Sequence, residues 1–141
     1  MPVEPRYHTA EHILTAVVRE LFGGEVIEIH FKGNKARCDY RFVPDVLLEE
    51  AIRRIEKRVN EIISGNYDVS IEFAERGEAA KFARLKKVPE ENDKIRLVKI
   101  GGFNTTACSG EHVKNTSEIG PVQIRTFHQL APSIVRLTFM I

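Results

Sequence analysis

The sequence has no run of apolar residues approaching the roughly 20 that a membrane-spanning helix needs, and its opening Met-Pro-Val-Glu-Pro-Arg lacks a charged-then-apolar leader. Net charge is scarce as well. At +1 over 141 residues no global field draws the chain onto nucleic acid, so any RNA contact has to come from a local basic face. Cysteine is limited to Cys38 and Cys108. In a chain without a leader these belong to a reducing compartment, where a lone disulfide is disfavoured, and cytoplasm is the expected location. Internal repeats and low-complexity segments are absent. What is present is a globular balance of 43% hydrophobic and 29% charged residues, enough chain for one cored domain spanning 1–141 and too little for two.

Residues 6–22 read as an amphipathic helix, with Ala10, Ile13, Leu14, Val17, Val18 and Leu21 near helical spacing and Gly23-Gly24 as the stop. Residues 25–31 and 36–42 alternate as strands around the turn residues Lys32-Gly33-Asn34-Lys35, which predicts a hairpin. Pro44 and Asp45 open a second helix expected to run to about Ser64, closed by Gly65-Asn66. Its stripe is Leu48, Ala51, Ile52, Ile55, Val59, Ile62 and Ile63. Its opposite face carries Arg53, Arg54, Lys57 and Arg58, a solvated surface or an RNA backbone contact. Strands are expected over 67–74, 95–100, 122–127 and 134–141, with a short helix over 75–83 and a polar loop over 86–94. Three helices and about six strands, mostly linked as hairpins, define an α+β fold in which helices pack on an antiparallel sheet.

The strongest chemical signal is a pair of pairs. His8 and His12 lie one helical turn apart, so both rings leave the same face. Cys108 and His112 repeat that spacing nearly a hundred residues later, among Gly101-Gly102 and Ser109-Gly110, where glycines let backbone approach an ion. Imidazoles and a thiolate suit zinc in tetrahedral geometry. The first pair is not the zinc-protease HExxH pattern, because Glu11 directly precedes the second histidine instead of following the first. Cys38 falls on the apolar side of its strand and reads as core.

At these residues the chain resembles a known family. His8-Thr9-Ala10-Glu11-His12-Ile13-Leu14, taken with Ala107-Cys108-Ser109-Gly110-Glu111-His112-Val113-Lys114-Asn115-Thr116-Ser117-Glu118-Ile119-Gly120, is similar to the editing domain of alanyl-tRNA synthetase. It is more similar still to the free-standing trans-editing proteins of the AlaX type. The resemblance implies the zinc-containing fold shared by threonyl- and alanyl-tRNA synthetases, with one Zn2+ held by His8, His12, Cys108 and His112. It implies hydrolysis of a wrong amino acid, chiefly serine and sometimes glycine, from tRNA(Ala). Larger members carry an extra N-terminal barrel, so a short form is expected here. Where the family often has two glycines after the cysteine, a Thr before the last His and a Gly in the tail, this chain has Ser109-Gly110, Glu111 and Ser117.

Ester hydrolysis needs a positioned water, charge stabilisation at the carbonyl and a ribose hydroxyl that leaves. Thr9, His30 and Glu111 are the catalytic candidates. Asn104, Thr105 and Thr106 are short polar candidates for reading a seryl hydroxyl, since a pocket that bonds a hydroxyl discriminates against the analogue lacking it. Lys32, Lys35, Arg37, Arg41 and Lys114 are candidates for acceptor-end phosphates. Editing of seryl-tRNA(Thr), a zinc-stabilised RNA-binding module without turnover, and a metal-free interaction domain remain open alternatives.

Overall fold

Residues Pro5–Phe22 form α1 in the computed structural model, which describes residues 3–81, 83, 85 and 88–141. Glu4 caps the helix by accepting the Arg6 N–H, and Pro5 occupies a first-turn position that has no intrahelical donor to lose. Gly23 ends the helix in the left-handed region at φ 64°, where its N–H reaches the Arg19 carbonyl. A hairpin follows, β1 (Glu25–Lys32) and β2 (Lys35–Arg41), then α2 (Leu48–Ile63), β3 (Val69–Glu75) and the four-residue α3 (Arg76–Ala79). The chain closes with β4 (Lys94–Ile100), β5 (Asn104–Ala107), a 3-10 turn at Thr116–Glu118, β6 (Gln123–Ala131) and β7 (Ile134–Met140).

The strands divide into two antiparallel sheets rather than one, ordered β1-β2-β7-β6 and β3-β4-β5. The expected hairpins are present, and the α+β class holds. Several boundaries differ. Helix α2 starts at Leu48, not Pro44, which places Glu49 and Glu50 in the first turn where the helix dipole favours acids. Helix α3 covers Arg76–Ala79 of the expected 75–83, with Gly77 inside it lowering helix propensity. Strand β6 continues to Ala131, with its register shifting at two irregularities against β7. Phe82 in that expected helix, and Lys86 and Lys87 in the expected loop, lie outside the described residues, as do Met1 and Pro2.

The main core lies between α1, α2 and the four-stranded sheet. Leu14, Val17 and Val18 of α1, Ile55 and Val59 of α2, and Tyr40, Leu137 and Phe139 of the sheet are all fully buried. Each large aliphatic side chain so removed from water contributes about 1.5–3 kcal/mol before conformational entropy is charged against it. Arg58 of α2 pairs with Glu20 of α1 and lies over the Phe103 ring, so one member of the basic stripe holds the two helices together. Asn60 brackets Val122 with two hydrogen bonds, docking α2 on the entry to β6. A smaller cluster of Ala79, Ile95 and Leu97 backs the three-stranded sheet. Cys38 is buried in the main core, and both cysteines are free.

On the face of the four-stranded sheet away from α1, Arg136 of β7 donates two hydrogen bonds to Asp39 of β2, at 2.9 and 3.0 Å. The two residues are cross-strand partners, and Asp39 is 6% exposed. Bonding to the guanidinium holds the Asp39 carboxyl below its ordinary 3.8. A depressed carboxyl pKa stabilises the fold fully above the unfolded value and loses that contribution as pH falls through the folded value. Asp39→Asn is therefore expected to lower the thermal midpoint at pH 7 and to flatten the loss of stability between about pH 5 and pH 2. Thermal melts across that range check it; an equal drop at every pH contradicts it.

Candidate metal centre

Helix α1 lies between the free edges of the two sheets, with β1 on one side and β5 on the other. His8 and His12, one turn apart, face the loop that leaves β5. The loop brings Cys108 and His112 back to them, and the four ligand atoms lie within 4.8 Å of one another. The Cys108 Sγ to His8 Nε2 distance is 3.4 Å. Two ligands of one tetrahedral zinc, sulfur at about 2.3 Å and nitrogen at about 2.0 Å, stand about 3.5 Å apart.

The ring electrostatics favour neutral imidazoles. His8 and His112 stack with centroids 4.2 Å apart, and His12 sits 4.5 Å from His112 and 4.9 Å from His8. Burial, then the neighbouring rings, holds His12 well below its usual range. Burial, then His8 and the Arg96 guanidinium, pushes His112 down to about 3. His8 is lowered chiefly by burial, and burial raises the Cys108 thiol. One nitrogen of each ring, Nδ1 of His8 and His12 and Nε2 of His112, is buried with no hydrogen-bond partner. His8 meets the thiol through Nε2, so its Nδ1 is not the atom a shared ion would take; the buried His12 Nδ1 and His112 Nε2 are the orphans that are costly without an electrophile to take their lone pairs. The donor set and these orphans fit a zinc ion.

Thr9 is fully buried, and its hydroxyl engages the His112 end of the loop twice. Its Oγ1 accepts the Val113 N–H at 3.1 Å and pairs with His112 Nδ1 at 2.9 Å, which turns Nε2 toward the cluster. The tail that follows is a capping motif. Asn115 accepts the Ser117 N–H, and Glu118 accepts the Lys114 and Asn115 N–H groups, which fixes the exit of the loop. At Gly110 a Cβ would stand 2.2 Å from the His8 ring, so only glycine lets the loop close on that ligand.

A cleft of about 340 Å³ opens beside the cluster, between α1, β1 and β5. Strand alternation turns Asn104 and Thr106 into it and Thr105 to the opposite face. The Thr106 hydroxyl donates to Asn104 Oδ1. Glu11 and Thr15 also line the cleft, and the Thr15 hydroxyl donates to Glu11 Oε2 at 2.7 Å. With its one proton committed, Thr15 accepts from the fully buried Tyr40 hydroxyl at 2.9 Å, so a polar chain runs from the core to the Glu11 carboxylate. Across the cleft, β1 carries an irregularity between Val26 and Glu28 that leaves Ile27 unpaired in the wall. A depression of about 410 Å³ beside Asn60, Ser64 and Pro121 is larger but shares no residue with the cluster and has no titratable lining.

The remaining candidates are dispersed. His30 is exposed on the outer face of β1, opposite Arg37, and Glu111 is exposed in the loop. Lys32 and Lys35 are exposed cross-strand partners at the hairpin turn, whose Asn34 carbonyl accepts from Tyr7, the neighbour of His8. Arg41 and Lys114 are exposed and Arg37 half-buried. Sequence reasoning did not single out Thr15 or Arg96. The Glu11–Thr15 spacing of one turn is the signal for the first; an arginine flanked by Ile95 and Leu97 in β4 is the signal for the second.

Comparison with known proteins now adds to this geometry. Residues 95–138 match the family described as the threonyl and alanyl tRNA synthetase second additional domain, a stretch holding Cys108 and His112 but not His8 or His12. Over that stretch the family's pattern is matched by this chain. Its relatives include the alanyl-tRNA editing protein AlaX-M of Methanosarcina mazei, 32% identical over 95% of this chain and 55% of the relative. They also include AlaX-L of Pyrococcus horikoshii, 32% identical over 94% of the chain and 32% of the relative. The alanine–tRNA ligase of Methanobrevibacter smithii is 32% identical over 95% of the chain but 15% of the ligase. The chain thus spans about half or less of the length of these relatives.

Two measurements bear on the centre. Elemental analysis of the purified protein is expected to find one zinc per chain, with His12→Ala and Cys108→Ala each losing most of it; full retention in both contradicts the assignment. Thr9→Val keeps the volume but strands His112 Nδ1 and the Val113 N–H, and is expected to lower unfolding free energy by about 1–3 kcal/mol. Denaturant titration checks this, and a change below about 0.5 kcal/mol, the scale of an ordinary surface substitution, contradicts it.

Proposed function

We propose that this protein hydrolyses the ester joining a wrong amino acid, serine foremost and glycine second, to tRNA(Ala), at a centre holding one zinc ion. The observation that carries the reading is the convergence of His8, His12, Cys108 and His112 beside a cleft, in a chain whose relatives are named alanyl-tRNA editing proteins. In the reaction water attacks the carbonyl carbon, the ester C–O bond breaks, and the ribose oxygen leaves with a proton, giving free amino acid and tRNA. Bound zinc supplies Lewis-acid and orienting chemistry at the carbonyl end of the cleft.

The chain's own residues supply the rest. Asn104 and Thr106 offer short polar groups to a seryl hydroxyl, which an alanyl group lacks, so correct alanyl-tRNA leaves them unpaired and binds less well. The carboxylate of Glu11 in the lining suits the α-ammonium of an aminoacyl ester. Lys32 and Lys35, paired across the exposed hairpin turn, offer ammonium groups to phosphates of the acceptor end.

A second reading is favoured by one feature of the same cluster. Four protein ligands on one ion make a closed, structural shell, which suits a zinc-stabilised RNA-binding module without turnover. Deacylation assays on seryl-, glycyl- and alanyl-tRNA(Ala), with seryl-tRNA(Thr) in parallel, separate the readings. The editing reading predicts release of serine from tRNA(Ala) with alanyl-tRNA spared. Tight tRNA binding with no release from any substrate contradicts it, and preferential release from tRNA(Thr) moves the substrate to the threonyl branch. Joint substitution of Lys32 and Lys35 by Ala is expected to weaken tRNA binding and flatten its salt dependence by about two phosphate contacts; an unchanged salt slope removes them from the interface.

A further inference from the structure

The stretch 108–113 has no regular secondary structure, yet it must hold two ligands in register with two more on α1. Besides the bonds of the ligand side chains themselves, two residues outside the ligand set hold it by hydrogen bonds. Thr9 secures the His112 end. Arg96 secures the Cys108 end, and does so three times. Its own carbonyl accepts the Cys108 N–H at 3.2 Å. Its Nη1 donates to the Cys108 carbonyl at 2.6 Å and to the Gly110 carbonyl at 2.9 Å.

Those two carbonyls flank the tightest point of the loop. Gly110 closes on the His8 ring with no room for a side chain, while the Cys108 sulfur stands 3.4 Å from His8 Nε2. A guanidinium that draws both carbonyls to one side bends the backbone at Ser109 and turns the thiol toward the imidazoles. Its position is itself fixed, since Arg96 sits within β4, paired with Phe73 of β3. The charge-assisted donor is permanent, and its planar fork loses less freedom per bond than an ammonium would.

We propose that Arg96 is the positioning residue of the metal centre, setting the cysteine arm of the loop so that Cys108 can complete the ligand set. The inference rests on the metal reading of the His/Cys cluster and not on any particular substrate. Arg96 touches no ligand atom; it acts through the Cys108 and Gly110 carbonyls.

The test uses the wild-type chain, Arg96→Met and Arg96→Lys, each checked for folding by circular dichroism. Zn2+ affinity is measured by competition with a chromophoric chelator, and the Co2+ adduct by its sulfur-to-cobalt charge-transfer band. Arg96→Met is expected to weaken zinc binding by about 10–100-fold and to dim or shift the band, because the thiol is no longer held. Arg96→Lys, which keeps a charged N–H donor group but not the planar guanidinium, is expected to recover part of both. A merely structural role would lower the melting temperature while leaving the affinity and band of the folded protein unchanged, and that result overturns the proposal. Should Arg96→Met not fold, Arg96→Lys carries the test, and wild-type affinity with an unshifted band overturns it. A wild type that binds neither metal overturns the metal reading and this inference with it; equal binding by wild type and folded variants removes Arg96 alone.

Discussion

Everything proposed for this protein depends on α1 being held against a loop a hundred positions away in the chain. The two ligand pairs have no local reason to meet. They meet because Ile13, Leu14, Val17 and Val18 bury the helix against α2 and the four-stranded sheet, which leaves the face bearing His8 and His12 turned toward the edge of the other sheet. Tyr7 extends the same anchorage at the start of the helix, donating to the Asn34 carbonyl in the hairpin turn and accepting the Ile141 N–H from the chain end. A helix displaced by one turn along its axis would move the histidines about 5.4 Å, more than the separation of the ligand atoms allows.

Given that docking, the chemistry follows from burial and proximity. Three imidazoles packed ring against ring cannot share the site as cations, so their lone pairs are free for a metal. The surroundings then divide the labour. Thr9 and Arg96 shape the loop from behind, the capping motif at 115–118 fixes its exit, and the cleft in front is lined by short polar groups and the Glu11 carboxylate. Under the proposed function, the Glu11 carboxylate would meet the cationic amino acid and the basic hairpin turn the anionic backbone of the substrate.

The parts of the fold legible in the sequence were those set by local periodicity. The stripes of α1 and α2, the alternation of β1 and β2 and the turn between them all depend on neighbours within a few residues. Strand β5 was not legible, because Asn104–Ala107 is four residues long, polar, and a strand only through its pairing with β4. The division into two sheets was hidden for the same reason: which edges pair is a long-range matter. At the site, the HxxxH and CxxxH spacings carried the ligand set, since one helical turn and one tight loop each bring a pair together. The roles of Thr9, Thr15 and Arg96 depend on partners far off in sequence. Its place between the two histidines makes Thr9 a catalytic candidate in the sequence; in the fold its hydroxyl is buried and bonded to His112 and Val113.

The central claim is that four side chains from two distant segments share one ion. X-ray absorption at the zinc edge of the purified protein tests it most directly. The account predicts a single sulfur at about 2.3 Å with histidine nitrogens at about 2.0 Å, and loss of the sulfur shell alone in Cys108→Ser. A first shell with no sulfur, or with two or more, would contradict it.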